Sequence, residues 1–338
     1  MKRITIEDIA AKLNISFSTV ARALNDHPAI SDATKKAVRE TATRLGYRQN
    51  KVAASLRSGR THIIGVIVPN LQLSFFSSVV HGIERVMNEN EYNILLYQSN
   101  EQADHEARGI DTFLQSRVDG IIASITQETR EMPHFAEIRK RGIPLLFFDR
   151  AINGLEVPAV VIDDFKGGYM ATKHLIDQGY KRIVHINTHQ DLAIFTDRLE
   201  GYKAALRDHH LPIDEQYIVR GALSLEFGDA TAQSFLDQGL AFDAVFAVED
   251  YTAMGVLQAL KRNKIKVPKE VGVIGFANEA FGSLVTPALS SIDQQTVRMG
   301  EEAAALFLKV LQQKGKPAGT PERIVLEPLL VARDSTAR

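Results

Sequence analysis

At 338 residues the chain is long enough for two or three domains, and its 45% apolar and 24% charged content excludes a mainly disordered protein. It contains no cysteine, which excludes disulfide frameworks, thiolate metal sites and thiol nucleophiles and suits a reducing compartment. Glu7 and Asp8 stand where a secretory signal needs an apolar run, and no later apolar stretch reaches the roughly 18 residues that span a bilayer, so the sequence reads as cytoplasmic with no membrane partner.

The net charge of −1 hides an asymmetry. Residues 1–62 hold 12 Lys/Arg against five Asp/Glu, a surplus of +7, and the remainder carries −8. A basic head on an acidic body favours a polyanion as partner of the head; charge alone also allows a solvated basic tail.

Pattern decides between them. Ile6, Ile9, Ala10 and Leu13 fall at helical spacing after Thr5, with Asp8 three places on as in a capping box. Ser16 opens a second helix that turns Val20, Ala21 and Leu24 inward and Phe17, Ser18 and Arg22 outward. Ser31 and Asp32 start a third, with Ala33, Ala37, Val38, Ala42 and Leu45 expected inside and Gly46 as its left-handed stop. Three short helices with a tight first turn form a helix-turn-helix unit, whose second helix reads the major groove of double-stranded DNA. Arg22 can donate twice to guanine, Ser18 can donate or accept, and Phe17 can press on a thymine methyl. Ser16, Thr19, Asn25, Ser31 and the Thr5 amide are expected at phosphates, where they set register.

The runs Ile4-Thr5-Ile6-Glu7-Asp8-Ile9-Ala10, Ile15 to Asn25 and Leu45-Gly46-Tyr47 resemble the LacI-type bacterial transcription regulators. In that family the positions of Phe17, Ser18 and Arg22 contact bases, although Phe17 is commonly Tyr there. The resemblance also gives the Ala-rich stretch from Asn50 to Arg60 a role. About two turns are too short for a helix to stand alone in water, and the family's hinge helices order as a pair in the minor groove. Leu56 then wedges between central base pairs, Ala53 permits close approach and Asn50 meets a phosphate. Gln49 replaces the proline many relatives carry.

From residue 62 strands and helices alternate. Strands are expected at 62–69, 94–98, 120–124 and 144–148, with helices at 75–88, 106–116 and 135–141 between them. The rhythm restarts with strands at 160–162, 183–186, 218–220, 244–247 and 271–276 and helices at 165–178, 196–209, 227–238 and 251–262, then a helix at 297–313, a strand at 324–326 and a tail at 329–333. Repeated βα units imply doubly wound parallel sheets. The expected fold is therefore α/β: a three-helix helix-turn-helix head plus a two-lobed, periplasmic-binding-protein-like body, the latter as the resemblance implies. The expected divisions are 1–48 for the head, 49–61 for hinge and linker, 62–160 plus 292–319 for one lobe and 161–291 plus 320–338 for the other.

Ligands of open parallel sheets bind beyond the carboxyl ends of the strands. Polar residues gather there: Asn70 and Ser74-Phe75-Phe76, Asp149-Arg150, Arg198, Glu249-Asp250, Ala277-Asn278 and Gln294. The resemblance places Ser74, Phe75, Asp149, Arg198, Asp250 and Gln294 in an effector cleft, to which Glu249 and Asn278 are added. Carboxylates and a guanidinium around an aromatic wall suit a polyhydroxylated, sugar-like effector. Two departures keep its identity open. Ala277 replaces a carboxylate of the family's Gly-Phe-Asp-Asp, and Glu249 replaces an Asn, adding a charge that could meet an amine, a metal or Arg198.

The zinc-protease, nucleophile-elbow and phosphate-loop motifs are absent, so no catalytic residue, metal or cofactor is expected. Gly167-Gly168 reads as helix packing, and His209-His210 as a helix end. The expectation is a non-enzymatic regulator, a repressor that binds a near-palindromic operator as a homodimer under control of a small polar effector. A free solute-binding protein would need a signal peptide and no basic head; an enzyme on a doubly wound fold would need catalytic groups.

Overall fold

The computed structural model describes residues 4–47, 59–130, 133–151, 155–312 and 321–338. Two compact units divide at residue 61, the first ending at Thr61 and the second starting at His62.

In the first unit, helices α1 (Ile6–Leu13), α2 (Phe17–Leu24) and α3 (Asp32–Leu45) are each started by the expected side chain. Thr5 and Asp8 close a reciprocal capping box, and the Ser16 and Ser31 hydroxyls accept the amides of Thr19 and Thr34 at 3.1 and 3.3 Å. Gly46 ends α3 at φ 69°. Ile9, Ala10, Val20, Ala23, Val38 and Ala42 form the core. Ala33 and Ala37, expected inside, are exposed, and Thr41 is buried instead. The inward stripe of α3 runs through 38, 41, 42 and 45, and a methyl side chain is too small to signal its own side of a helix.

The second unit holds two parallel sheets. β1 (Ile63–Val68), β2 (Asn93–Gln98), β3 (Gly120–Ala123), β4 (Leu145–Phe148), β5 (Ala159–Ile162) and β11 (Arg323–Leu326) form a six-stranded sheet in the order β11-β5-β4-β3-β1-β2. β6 (Ile183–Thr188), β7 (Ile218–Gly221), β8 (Ala244–Ala247) and β9 (Gly272–Ile274) form a four-stranded sheet in the order β7-β6-β8-β9. β10 (Ser291–Asp293) and β12 (Leu329–Val331) make an antiparallel pair. The expected elements appear to within about one helical turn, β10 being an addition. Both sheets are covered on both faces: Ile64, Val66 and Val68 enter one core of the first sheet and Ile67 the other, and Val245 and Phe246 divide likewise in the second.

Two expected lobe boundaries are corrected. β11, expected in the second lobe, lies parallel to β5 in the first sheet, with Ile324 opposite Val160. Residues 161 and 162 likewise complete β5 of the first sheet. A βα count along the chain has no means of seeing which sheet a late strand rejoins. After β11 the chain returns to the second lobe, where the Ser335 carbonyl accepts the Val273 amide at 2.9 Å.

Helices α4 (Ser74–Glu89), α5 (Ala103–Gln115), α6 (Pro133–Lys140) and α11 (Thr296–Gln312) belong with the first sheet, and α7 (Asp164–Asp177), α8 (Ala193–Asp208), α9 (Leu225–Asp237) and α10 (Asp250–Arg262) with the second. Helices α7 and α8 touch backbone to backbone at Gly168, where an added Cβ would lie 2.2 Å from the Arg198 carbonyl oxygen. That contact holds Arg198 at its place on α8.

Candidate functional site

In the head, Phe17, Ser18 and Arg22 all project from α2 to solvent, and Phe17 is 55% exposed. Phe17 is thus a large apolar side chain left exposed on the same helix as the exposed Arg22. The expected phosphate contacts are more occupied. The Thr5 amide donates to the Asp8 carboxylate at 2.8 Å, so it is spent on the capping box rather than held for a phosphate. The Asn25 amide nitrogen donates to the Ala21 carbonyl at 2.7 Å. Ser16 and Ser31 accept helix amides, and the Ser16 and Thr19 hydroxyls lie 2.8 Å apart. Lys35 and Arg39 pair with Asp26, so part of the basic surplus is compensated away from α2. Asn50, Ala53 and Leu56 lie outside the described residues.

In the body a cavity of about 530 Å³ opens between the two sheets. Its polar lining follows strand ends as expected: Asn70 after β1, Asp149 and Arg150 after β4, Glu226 after β7, Glu249 after β8, Glu279 after β9 and Gln294 after β10. Phe75 and Phe76 from α4, Phe195 from α8, Tyr251 from α10 and Phe276 supply apolar walls.

Of the sequence candidates, Phe75, Asp149, Arg198, Glu249 and Gln294 line this cavity. Ser74, Asp250 and Asn278 lie outside its lining. The Ser74 hydroxyl instead donates to the carboxylate of Glu279 in the opposite lobe. Asp250, fully inside, accepts from the Ser291 hydroxyl at 2.7 Å and the Glu279 amide at 2.6 Å, and so shapes the loop after β9. The Asn278 side chain turns away to Asp293 and Arg333. Glu226, Glu279, Tyr251 and Phe195 went unremarked as site residues in the sequence. The strand-end rule reaches Glu279, three residues past Phe276, but nothing local marks the rings of Phe195 and Tyr251, whose sides are set by helix phase.

Glu249 and Arg198 do not pair with each other. Glu249 caps α10, accepting from the Tyr251 amide at 2.8 Å and from the Thr252 amide and hydroxyl. Arg198 donates to Asp164 and to the Val248 carbonyl, each at 2.8 Å, with its guanidinium 3.7 Å from the Phe276 ring centroid. Arg150 is taken up by both Glu101 oxygens at 2.9 and 2.8 Å. Among the described residues no group of three or more His or acidic side chains stands close enough to share a metal ion.

Burial raises the carboxyls of this region. It lifts Asp149 to about 7 against the pull of Arg150, and Asp250 to about 7 despite the bonds from the Glu279 amide and Ser291. Burial lifts Asp164 to about 6 against Arg198, and it raises Glu249 against the bonds of its cap. Three residues at these strand ends have positive φ: Asp149 at 58°, Ala277 at 114° and Asn278 at 54°. Side chains rarely accept such angles unless the surroundings hold them there.

A helix-turn-helix head and a two-lobed body of parallel sheets around a polar cleft define the class of DNA-binding regulators with a periplasmic-binding-protein-like body. The family described as periplasmic binding proteins and sugar binding domain of LacI family matches residues 61–325, and that of bacterial regulatory proteins, lacI family, matches residues 5–50. The chain belongs to the LacI family of DNA-binding transcription regulators, and it is not an enzyme. It is 32% identical over 312 residues to catabolite control protein A of Priestia megaterium, covering 92% of this chain and 93% of that one. It is also 32% identical over 341 residues to the HTH-type transcriptional repressor CytR of Escherichia coli (strain K12), covering 98% and 96%. A solved complex of the transcriptional regulator CelR with cellobiose matches with TM-score 0.73 and 28% identity, over 98% of this chain and 100% of that chain. Among the described residues no helix is long and apolar enough to cross a membrane.

Proposed function

We propose that the protein is a repressor that binds a near-palindromic operator as a homodimer and releases or grips it according to a small polar effector, a sugar or related metabolite, held between the lobes. The observation that carries this reading is the cleft, where polar side chains from both lobes converge on one cavity and a hydrogen bond from Ser74 to Glu279 joins the lobes beside it. A molecule seated there touches both lobes and favours one lobe arrangement over another. The relatives named a repressor and complexed with cellobiose support both halves of the reading. In the head, Phe17, Ser18 and Arg22 read base edges, Ser16, Thr19 and Ser31 set register at phosphates, and Leu56 with Ala53 and Asn50 acts at the operator centre.

Effector and operator are then linked by a coupling free energy of typically about 1–3 kcal/mol, a roughly 5- to 150-fold change in operator affinity. The test is selection of duplexes from a random pool by the full chain, followed by fluorescence anisotropy at moderate salt with and without ligand. An inverted repeat bound two chains at a time, with an affinity that a cleft ligand alters, is the expected result. Equal affinity for inverted-repeat and scrambled duplexes overturns it.

A further inference from the structure

The cleft has an unbalanced charge. Asp149, Glu226, Glu249 and Glu279 line it, and its two cations, Arg150 and Arg198, are each bound to a carboxylate behind the wall, Glu101 and Asp164. The cavity therefore faces its occupant with four acidic side chains and no uncompensated base. Glu249 and Glu279 stand on the same side, in the second lobe, with the Asp250 carboxylate close behind them. A phosphate or carboxylate ligand entering here would meet repulsion in a low-dielectric setting, whereas an ammonium would be attracted and could also rest on the ring of Tyr251.

A second, independent feature faces the same space. Gln294 is 3% exposed, lines the cavity, and among the described residues its side chain makes no hydrogen bond to the protein; Asp149, 5% exposed and also in the lining, is held only by a long ion pair. The cation nearest Asp149 is Arg150, whose Nε stands 3.7 Å away and itself lacks a hydrogen bond. Buried polar groups are ordinarily satisfied, so an amide left open toward the cavity, beside a carboxyl held only by a long ion pair, marks a place where a ligand supplies the missing donors and acceptor.

Resting on the reading that this cleft is the effector site, we infer that the effector is a polyhydroxylated amine, an amino sugar or amino-polyol in its protonated form. Its ammonium lies against Glu249 and Glu279, and its hydroxyls donate to Asp149 and exchange hydrogen bonds with Gln294. Glu249 thereby selects the effector's charge as well as capping α10.

The test titrates the full chain calorimetrically with matched ring compounds: glucosamine, glucose, N-acetylglucosamine and glucuronate, and the disaccharides chitobiose in its free-amine form and cellobiose. The free amines should bind at least about tenfold tighter than their neutral counterparts, with glucuronate weakest, and added salt should narrow the gap. The Glu279→Gln and Glu249→Asn variants should lose that preference; Asn is a good N-cap, so α10 keeps its start. Neutral or anionic sugars binding as well as the amines, a preference that survives in both variants, or no binding by any compound overturns the inference. Gln294→Ala separates it from the underlying reading. Neutral sugars that bind the wild type and are lost in Gln294→Ala leave the cleft as the effector site while the charge assignment fails; ligands that bind the wild type and Gln294→Ala alike place the effector elsewhere and remove both.

Discussion

The Ser74 hydroxyl, at the first turn of α4 in one lobe, donates a hydrogen bond to the carboxylate of Glu279, beyond β9 in the other, across 205 residues of sequence. Glu279 is buried, so this bond spans the mouth between lobes at a point where each partner has few alternatives. Ser74→Ala should weaken lobe closure by about 1–3 kcal/mol, the usual range for a hydrogen bond to a charged group or for leaving a buried acceptor short of a donor. Small-angle scattering should show a larger radius of gyration for the variant, and hydrogen exchange should quicken along the cleft-facing turns. Identical scattering and exchange would mean the bond contributes nothing to closure.

Arg198 is a structural ion-pair partner as well as a cleft residue, and that changes what its loss does. Arg198→Ala leaves the buried Asp164 without its cation and the Val248 carbonyl without its donor. Breaking a buried pair from one side typically costs about 3–5 kcal/mol. Urea unfolding of the body should show a loss of that order, and Arg198→Ala combined with Asp164→Asn should recover much of it. A single variant as stable as wild type would show that water replaces the guanidinium at no cost.

Asp149 and Asp250 titrate near 7 in the fold because burial penalises their charge, against 3.8 in the unfolded chain. Between those values the folded chain holds protons that the unfolded chain has released, so their contribution to stability falls as pH rises from about 4 to about 7. His185, lowered by burial to about 3, acts in the opposite sense up to 6.5, because only the unfolded imidazole charges there. From pH 6.5 to 7.5 the carboxyls act unopposed by His185. The melting temperature of the ligand-free protein should drop over that interval, and drop less in Asp149→Asn. Equal slopes in the two proteins would contradict the assignment.

Arg22 projects from α2 without an intramolecular ion pair among the described residues. Arg22→Ala should cost about 1–3 kcal/mol at one base of each half-site and relax discrimination there. Competition binding with single-base operator variants measures this; uniform weakening on every sequence would reduce Arg22 to a phosphate contact.

Gly168 admits α8 so closely that a Cβ would stand 2.2 Å from the Arg198 carbonyl. Because the obstacle is backbone, Gly168→Ala should push the helices apart and cost about 1–3 kcal/mol, an overpacking penalty. Denaturant unfolding reads the loss. Ligand titration should show weaker binding as Arg198 shifts, whereas an unchanged midpoint would show that α7 and α8 yield freely.

The capping residues Thr5, Ser16 and Ser31 and the Gly46 stop were legible in the sequence because each acts on backbone groups within a few residues of itself. The side of α2 carrying Phe17, Ser18 and Arg22 was legible for the same reason, since helical periodicity alone sets it. In the body, the alternation of strand and helix and the rule of carboxyl strand ends pointed to Asp149, Glu249 and Gln294, and the family resemblance added Arg198; all four line the cleft.

Tertiary structure decided the rest. The return of β11 to the first sheet, the seating of Asp250 behind Glu279 and the turning of Asn278 toward Arg333 all depend on partners tens of residues away or more, which no local pattern encodes. The same holds for the charge of the cleft. The sequence by itself determined that Asp149, Arg150, Glu249 and Gln294 arrive there, because strand ends position them; only the folded chain added Glu226 and Glu279 and decided that Glu101 and Asp164 neutralise Arg150 and Arg198 from behind, because ion pairing depends on distance in space and not on separation along the chain.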